Sequence, residues 1–410
     1  MPDKFRVNHI NYSSDHGGAA IAAHRLHSAL VDAGVTSTMT VAAGQTDKLI
    51  KAALVQKTWR RFFQRKLSKH LYRPYAQRQT EGFTSLGYVS SGLGQELNRQ
   101  SRQIVNLHWI NFDMISIAEI GALKHPVVWT LHDMWPFSGA EHYSEKDAWS
   151  DGYASHQKRG FDLNRWVWKR KAEHWRKPMQ IVCPSRWLAD CARRSQLMKD
   201  WPIEVIPNAI DTEIWQPGDQ LAARASLGLS PNVPVVLFGA VRGPDDPRKG
   251  FAHLVTAMQK VHSEIPDVQA VVFGSVAGDS DFPFPVHFMG EVTDKQLLRL
   301  IYSAADVLAL PSRQDNLPNT GVEAMACGVP IAGFDIGGLP DLVPSNSMGH
   351  LARPFDEEDL AQGIVRILRS RDTDEALERA SALYKHVQET YDSKVVAAQY
   401  KLVYERIWRC

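Results

Sequence analysis

Chemistry concentrates in a few segments of this 410-residue sequence. Residues 311–330 read PSRQDNLPNTGVEAMACGVP. A buried strand is expected to end at Pro311-Ser312, a polar loop to follow, and a helix to begin around Asn319 to Gly321. That places Asp315 in the loop and Glu323 in the first turns of the helix. A carboxylate there can accept hydrogen bonds from both ribose hydroxyls of a nucleotide while the loop amides face its phosphates. Residues 239–251 read GAVRGPDDPRKGF. Here Arg242, Arg248 and Lys249 sit in a flexible loop before a helix expected near Gly250. Cations beside a helix N-terminus form a preassembled diphosphate site that needs no metal. A solvated basic loop is the bland alternative for that segment alone. The pair Asp245-Asp246, followed by Pro247-Arg248-Lys249, reads as a turn. At the other end of the chain, Gly17-Gly18 lets backbone amides approach an anionic or sugar ligand. The GxGxxG of a dinucleotide site is absent there, which argues against NAD.

Positioning such groups requires strand ends, and the sequence supplies two sets. FRVNHINY (5–12), QIVNLHW (103–109), PVVWTLH (126–132), MQIVCPS (179–185) and IEVIP (203–207) form the first; a helix over 19–33 follows the first strand. VPVVLFGA (233–240), VQAVVFGS (268–275), ADVLALPS (305–312) and VPIAGF (329–334) form the second. Near-continuous apolar strands alternating with helices predict parallel sheets covered on both faces. The fold class is therefore α/β, with two doubly wound Rossmann-like domains facing a central cleft and a helical C-terminal tail. The expected divisions are 1–207, 208–385 and a C-terminal helix over 386–410 that packs back on the first domain. In such sheets ligands bind beyond the carboxyl ends of the strands.

Composition narrows the class further. The 44% hydrophobic and 22% charged residues describe an ordinary globular protein. No apolar run reaches the ~18–20 residues of a membrane span, and the first residues lack a basic-then-apolar signal. Cys183, Cys191, Cys327 and Cys410 show neither CxxC pairing nor zinc spacing, and read as incidental thiols in a reducing cytoplasm. The net charge of +2 hides an asymmetry: 29 Lys+Arg against 18 Asp+Glu over 1–207, and 18 against 27 over 208–410. The first half either faces an anionic partner or docks on its acidic counterpart.

The 311–330 segment resembles the signature of retaining glycosyltransferases of family 4, of GT-B architecture: an acid, seven residues, then the run Glu323-Ala324-Met325-Ala326-Cys327-Gly328-Val329-Pro330. Gly17-Gly18, His132, Pro184-Ser185, the run from Ile206 to Asp211, Arg248-Lys249-Gly250, Gly290-Glu291-Val292 and Ala305-Asp306-Val307 resemble further family landmarks, in family order. The DNLPNT wording and WTLHDMWPFSG (129–139) are most similar to exopolysaccharide transferases of the colanic-acid kind.

The resemblance implies roles. Glu323 would hold the ribose of a nucleotide-sugar, and Lys249, with an arginine (Arg242 or Arg248), would neutralise the donor diphosphate. His132 would touch the donor sugar, Gly17 and Gly18 would let it approach the backbone, and Asp315 would bind hydroxyls near the anomeric carbon. Asn316, Leu317, Asn319 and Thr320 would face the phosphates. The expected catalytic set is His132, Lys249 and Asp315. Asp315 is one methylene shorter than the commoner glutamate, Pro318 replaces a glycine, and Arg242 lies one position from the usual arginine. No cofactor and no metal are expected, the nucleotide-sugar being a co-substrate.

The implied activity is metal-independent transfer of a sugar from a UDP- or GDP-sugar to a saccharide or polyprenyl-linked acceptor in cell-surface polysaccharide synthesis. The alternatives are a non-catalytic GT-B module that binds nucleotide or membrane, and a GT-B phosphorylase or epimerase. Residues 57–78 contain eight Lys/Arg and no acid, interleaved with Trp59, Phe62, Phe63 and Leu67. Such a helix suits an anionic inner membrane face, so peripheral attachment is expected beside a cytoplasmic location; an ordinary packed helix is the equal alternative. Residues 157–177 repeat the basic–aromatic mix, and a nucleic-acid partner is not expected.

Overall fold

The structure is a computed structural model, and it describes residues 5–53, 84–155, 160–239, 246–274 and 282–409, together with Trp59, 62–64 and 66–68. The chain forms two compact units, Met1–Ala209 with Val396–Cys410, and Ile210–Val395. The divisions thus fall at 209/210 and 395/396 rather than at 207/208 and 385/386. Ala209 is buried in the core of the first unit, while Tyr391 is buried in the second, its hydroxyl donating to Asp341 O at 2.8 Å.

The first unit holds seven parallel strands: β1 (Arg6–Ser13), β2 (Thr36–Ala43), β3 (Ile50–Ala52), β4 (Ile104–Leu107), β5 (Val127–Thr130), β6 (Gln180–Cys183) and β7 (Ile203–Val205). Their order is β3-β2-β1-β4-β5-β6-β7. β2 and β3 were not foreseen. In TSTMTVAA only Met39 and Val41 enter the apolar core, so the run lacks the continuous signal that β4, β5 and β6 give. The helix Gly18–Asp32 turns Ala20, Ala22, Ala23, Leu26 and Leu30 inward, and the three small alanines let its first turns lie close on the sheet. A second layer comes from the helix Ser393–Arg409, whose Val396, Ala397, Tyr400, Val403 and Tyr404 pack with Val7, Leu30, Ile104 and Val128. Tyr404 Oη accepts from Asn106 Nδ2 at 2.7 Å, and Tyr400 Oη pairs with Thr130 Oγ1 at 3.0 Å.

Part of the basic–aromatic stretch 157–177 is internal. The helix Leu163–His174 carries Lys171 into the core, where Nζ donates to the carbonyls of Trp135, Ser138 (3.1 Å) and Gly139 (2.7 Å). Three carbonyls match the three ammonium donors and pin the 135–139 loop. Burial nonetheless pushes Lys171 well below its ordinary value.

The second unit holds six parallel strands, β8 (Val235–Gly239), β9 (Gln269–Phe273), β10 (Val286–Phe288), β11 (Val307–Leu310), β12 (Ile331–Phe334) and β13 (Gly349–Ala352), in the order β10-β9-β8-β11-β12-β13. Asp306, read as a family landmark, is structural. Its Oδ2 accepts from Arg224 Nη2 at 2.8 Å and from Val235 N at 2.7 Å, tying the start of β11 to the start of β8. The helical C-terminal tail is not continuous: it breaks at Ser370–Thr373, between the helices Glu357–Arg369 and Asp374–Thr390, before the last helix. Cys183, Cys191 and Cys327 are buried free thiols; Cys410 lies outside the described residues. Among the described residues, no helix is long and apolar enough to cross a membrane.

Candidate functional site

In the second unit, strand order reverses between β8 and β11, the kind of switch point at which doubly wound sheets bind ligands. The loops leaving these two strands carry the predicted residues. After β8, Asp246 caps a single turn over Pro247–Lys249, accepting from Arg248 N at 3.1 Å and pairing with Arg248 Nη2 at 2.6 Å. Gly250 then opens the helix Phe251–Glu264 at φ +70°, and a Cβ there would stand 1.8 Å from Pro311 O. Only glycine lets the two loops meet this closely. Arg313 N donates to Arg248 O at 2.7 Å, stitching them together.

Across this seam Lys249 Nζ reaches Asp315 Oδ2 at 2.6 Å. Asp315 also accepts from Asn316 N (3.0 Å) and faces Ser312 Oγ (3.4 Å). The loop after β12 presses on it from behind: Gly338 N donates to Asp315 O at 3.0 Å, and Gly337 sits at φ +56° where a Cβ would meet that oxygen. Asn316 and Leu317 are buried, and Asn319 and Thr320 are half-buried in the first turn of the helix Asn319–Ala326. That helix starts at Pro318 with no side-chain cap. Glu323, one turn in, is 5% exposed, and Oε2 accepts from Tyr302 Oη at 2.8 Å. Tyr302 is itself wedged against Trp215 and Phe273. Arg242 lies outside the described residues.

In the first unit, order reverses between β1 and β4. The turn after β1 is braced by Ser13 Oγ, which accepts from His16 N at 3.1 Å, and Gly17 takes φ +90° before the helix it opens, again without a side-chain cap. His132 follows β5 and is half-buried. Its Nε2 pairs with His108 Nδ1 at 3.1 Å, and His108 Nε2 pairs with His9 Nδ1 at 2.9 Å. Burial pushes the His132 imidazole down to about 4, only partly opposed by the Asp133 charge, and pushes His9 and His108 well below the ordinary value. Neutral imidazoles are the consequence at pH 7. Asp133 accepts from Trp109 Nε1, Trp135 N and His142 Nδ1. Burial opposes its ionisation, but His142 and these donors together hold the carboxyl below the usual range.

The structure thus brings Lys249, Asp315, Asn316 and the Asn319 helix together, and sets Gly17, Gly18 and His132 at the carboxyl edge of the other sheet. Tyr302, Ser312, His9 and His108 were not singled out from sequence. A signal existed for the histidines, since QIVNLHW and PVVWTLH both end apolar runs near a histidine.

Two doubly wound units, each with its glycine-bearing turn and polar groups at a switch point, define the GT-B architecture. Comparison with known proteins agrees. The "Glycosyltransferase Family 4" profile matches residues 16–214, and the "Glycosyl transferases group 1" profile matches 233–370. The chain belongs to glycosyltransferase family 4. A D-inositol 3-phosphate glycosyltransferase from Segniliparus rotundus is 32% identical over 194 residues, 44% of this chain and 42% of that protein. The chain therefore spans about two-fifths of the length of that relative. An alpha-maltose-1-phosphate synthase from Mycolicibacterium smegmatis is 28% identical, over 60% of this chain and 67% of that protein. Among solved structures, sucrose-phosphate synthase from Thermosynechococcus elongatus has a TM-score of 0.67 at 19% identity, covering 99% of each chain. HepE of Anabaena in complex with UDP has a TM-score of 0.67 at 17% identity, covering 98% of this chain and 100% of that one. At such identities these likenesses speak to the fold.

Proposed function

We propose that this protein is a retaining, metal-independent glycosyltransferase that moves a sugar from a nucleoside-diphosphate sugar to a saccharide or lipid-linked saccharide in cell-surface polysaccharide synthesis. The observation that carries the proposal is the Lys249–Asp315 pair at the switch point of the second sheet, on the loop that opens the Glu323 helix. Glu323 takes the ribose hydroxyls, the helix N-terminus and Lys249 take the diphosphate, and Asp315 takes hydroxyls near the anomeric carbon. His132 serves the donor sugar. As the glycosyl–phosphate bond breaks, negative charge grows on the departing diphosphate, and preorganised cations and amides stabilise it. In the front-face displacement implied by the family, the acceptor oxygen attacks from the side of the leaving group, whose phosphate oxygen takes the acceptor proton. The UDP in the HepE structure supports a nucleotide donor by likeness. The relatives' names include phosphorylated small acceptors, so the acceptor class is the part to test.

Peripheral attachment to an anionic membrane is part of the proposal. Trp59, Phe62 and Phe63 are 78%, 57% and 60% exposed; most of 57–78 lies outside the described residues.

The test is thermal unfolding with UDP, GDP and ADP, each with EDTA and with magnesium, followed by product analysis with lipid-linked saccharides and with sugar or inositol phosphates as acceptors. Ligand at ~100 times its dissociation constant stabilises by about 2.7 kcal/mol. A shift with one nucleoside diphosphate that survives EDTA supports the donor site, and a flat panel removes it. Transfer to a sugar phosphate alone would replace the polysaccharide assignment.

A further inference from the structure

The least expected feature of the first unit is a row of imidazoles beneath its carboxyl edge. His9 lies on β1, His108 just past β4 and His132 just past β5, strands that are neighbours in that order. Consecutive rings pair nitrogen to nitrogen at 2.9 and 3.1 Å, the separation of N–H···N hydrogen bonds. Their centroids are 5.2 and 5.4 Å apart. His9 and His108 are 0% and 3% exposed. Beyond His9 the row stops: its Nε2 is buried without a hydrogen-bond partner, and the next ring, His27, stands edge-on at 5.8 Å with its own Nδ1 on Ser37 Oγ.

A neutral imidazole has one N–H and one lone pair. Each bond of the row consumes one of each, so the protons must all sit on the same side. They are either on every Nδ1, leaving a lone pair at the dead end on His9 Nε2, or on every Nε2, leaving an N–H there. A buried N–H without an acceptor is the rarer and costlier ending.

Resting on the proposed sugar transfer, we infer that the His9–His108 row locks His132 as its Nδ1–H tautomer, so that it meets the donor sugar as a hydrogen-bond donor. A histidine side chain free in water favours the Nε2–H form, so the selection belongs to the fold. His132 Nε2 is committed as the acceptor of His108, and a sugar hydroxyl is offered Nδ1–H rather than a ring lone pair. The row ends blind at His9, so it orients protons and does not conduct them. His108 is a positioning residue; it acts through His132.

The tautomers are read directly by long-range 1H–15N correlation on the full chain labelled with 15N-histidine, without nucleotide or acceptor. His132 is assigned from the cross-peak lost in His132→Gln. The expected pattern is Nδ1–H for His132 in the wild type, a shift toward Nε2–H in His108→Leu, and retention in His108→Asn, whose amide can still donate to His132 Nε2. In turnover, His108→Leu should lower kcat/KM for the donor about tenfold, with most of it restored in His108→Asn. An Nε2–H wild-type His132 overturns the inference, and that spectrum needs no variant to fold. An unchanged His132 in a folded His108→Leu overturns it equally. Should no nucleotide-sugar be turned over, the activity falls while the tautomer still stands or fails on its own spectrum.

Discussion

Lys249 Nζ lies 2.6 Å from Asp315 Oδ2, joining the loops that leave β8 and β11. The cation proposed for the phosphates and the carboxylate proposed for the sugar therefore satisfy each other when no donor is present. Binding has to share Lys249 with the diphosphate and free oxygen lone pairs on Asp315 for sugar hydroxyls.

Replacing Lys249 with alanine is expected to lower kcat/KM by at least about 100-fold, the usual scale for losing one preorganised electrostatic contact. Asp315 is 7% exposed and loses one donor in this variant, which costs about 1–3 kcal/mol, so the unliganded unfolding temperature should fall only modestly. Steady-state kinetics and thermal unfolding of the same preparation check both halves. A large fall in stability would mean that the residue holds the fold.

Tyr302→Phe removes the hydroxyl that holds Glu323 Oε2 while leaving the ring against Trp215 and Phe273. A buried carboxylate that loses one donor costs about 1–3 kcal/mol. Nucleoside diphosphate binding should weaken by roughly tenfold or more, since 1.4 kcal/mol is a factor of ten. Calorimetric titration of the nucleotide reads the effect, and unchanged affinity would show that Glu323 needs no fixing.

These two predictions also mark where sequence reading stopped. Asp315, Asn319 and Glu323 were legible because one loop and one helical turn carry them in succession. Tyr302 was not, because an apolar-flanked tyrosine 21 residues upstream looks like any core residue until the fold brings it under the carboxylate. The histidine row joins partners 99 and 24 positions apart, and parallel strands in a reordered sheet give no local sign of who their neighbours are. The sheets themselves were legible where strands are buried on both faces, as in β4, β8 and β11. They were missed where threonine and alanine dilute the pattern, as in β2, or where the middle of a strand is only half-buried, as in β13.

Stability of the first unit should decline steeply on mild acidification. Unfolded imidazoles protonate near pH 6.5; burial lowers His27 and His132 to about 4 and holds His9 and His108 well below their ordinary value. As pH falls below about 6.5 the unfolded chain takes up protons that the folded one refuses. Each such histidine then removes on the order of 1 kcal/mol per pH unit, down to about pH 4 for His27 and His132. Urea unfolding between pH 7.5 and 5 measures the slope, which His27→Leu should reduce. Equal slopes would show that the buried rings titrate alike in both states.

Tyr404→Ala is expected to cost about 3–5 kcal/mol, the range for deleting a large buried aromatic, and to leave Asn106 Nδ2 without its partner. The loss should fall on the first unit alone. Calorimetry that shows one transition moving down while another stays in place would confirm it, and a joint shift would count against separate units.

The helix Ser393–Arg409 also sets an order of events during synthesis. Residues 210–395 build the second unit in one uninterrupted stretch, so the ribosome delivers a complete set of its strands before releasing the helix that covers Val7, Ile104 and Val128. The first unit, translated earliest, must wait with that apolar face open for the whole time its neighbour is being made. At ~5–20 residues per second the wait lasts on the order of ten seconds or more. A nascent chain stalled just before residue 396 should accordingly recruit chaperones to its oldest part, and resume as a folded product once the last turns emerge.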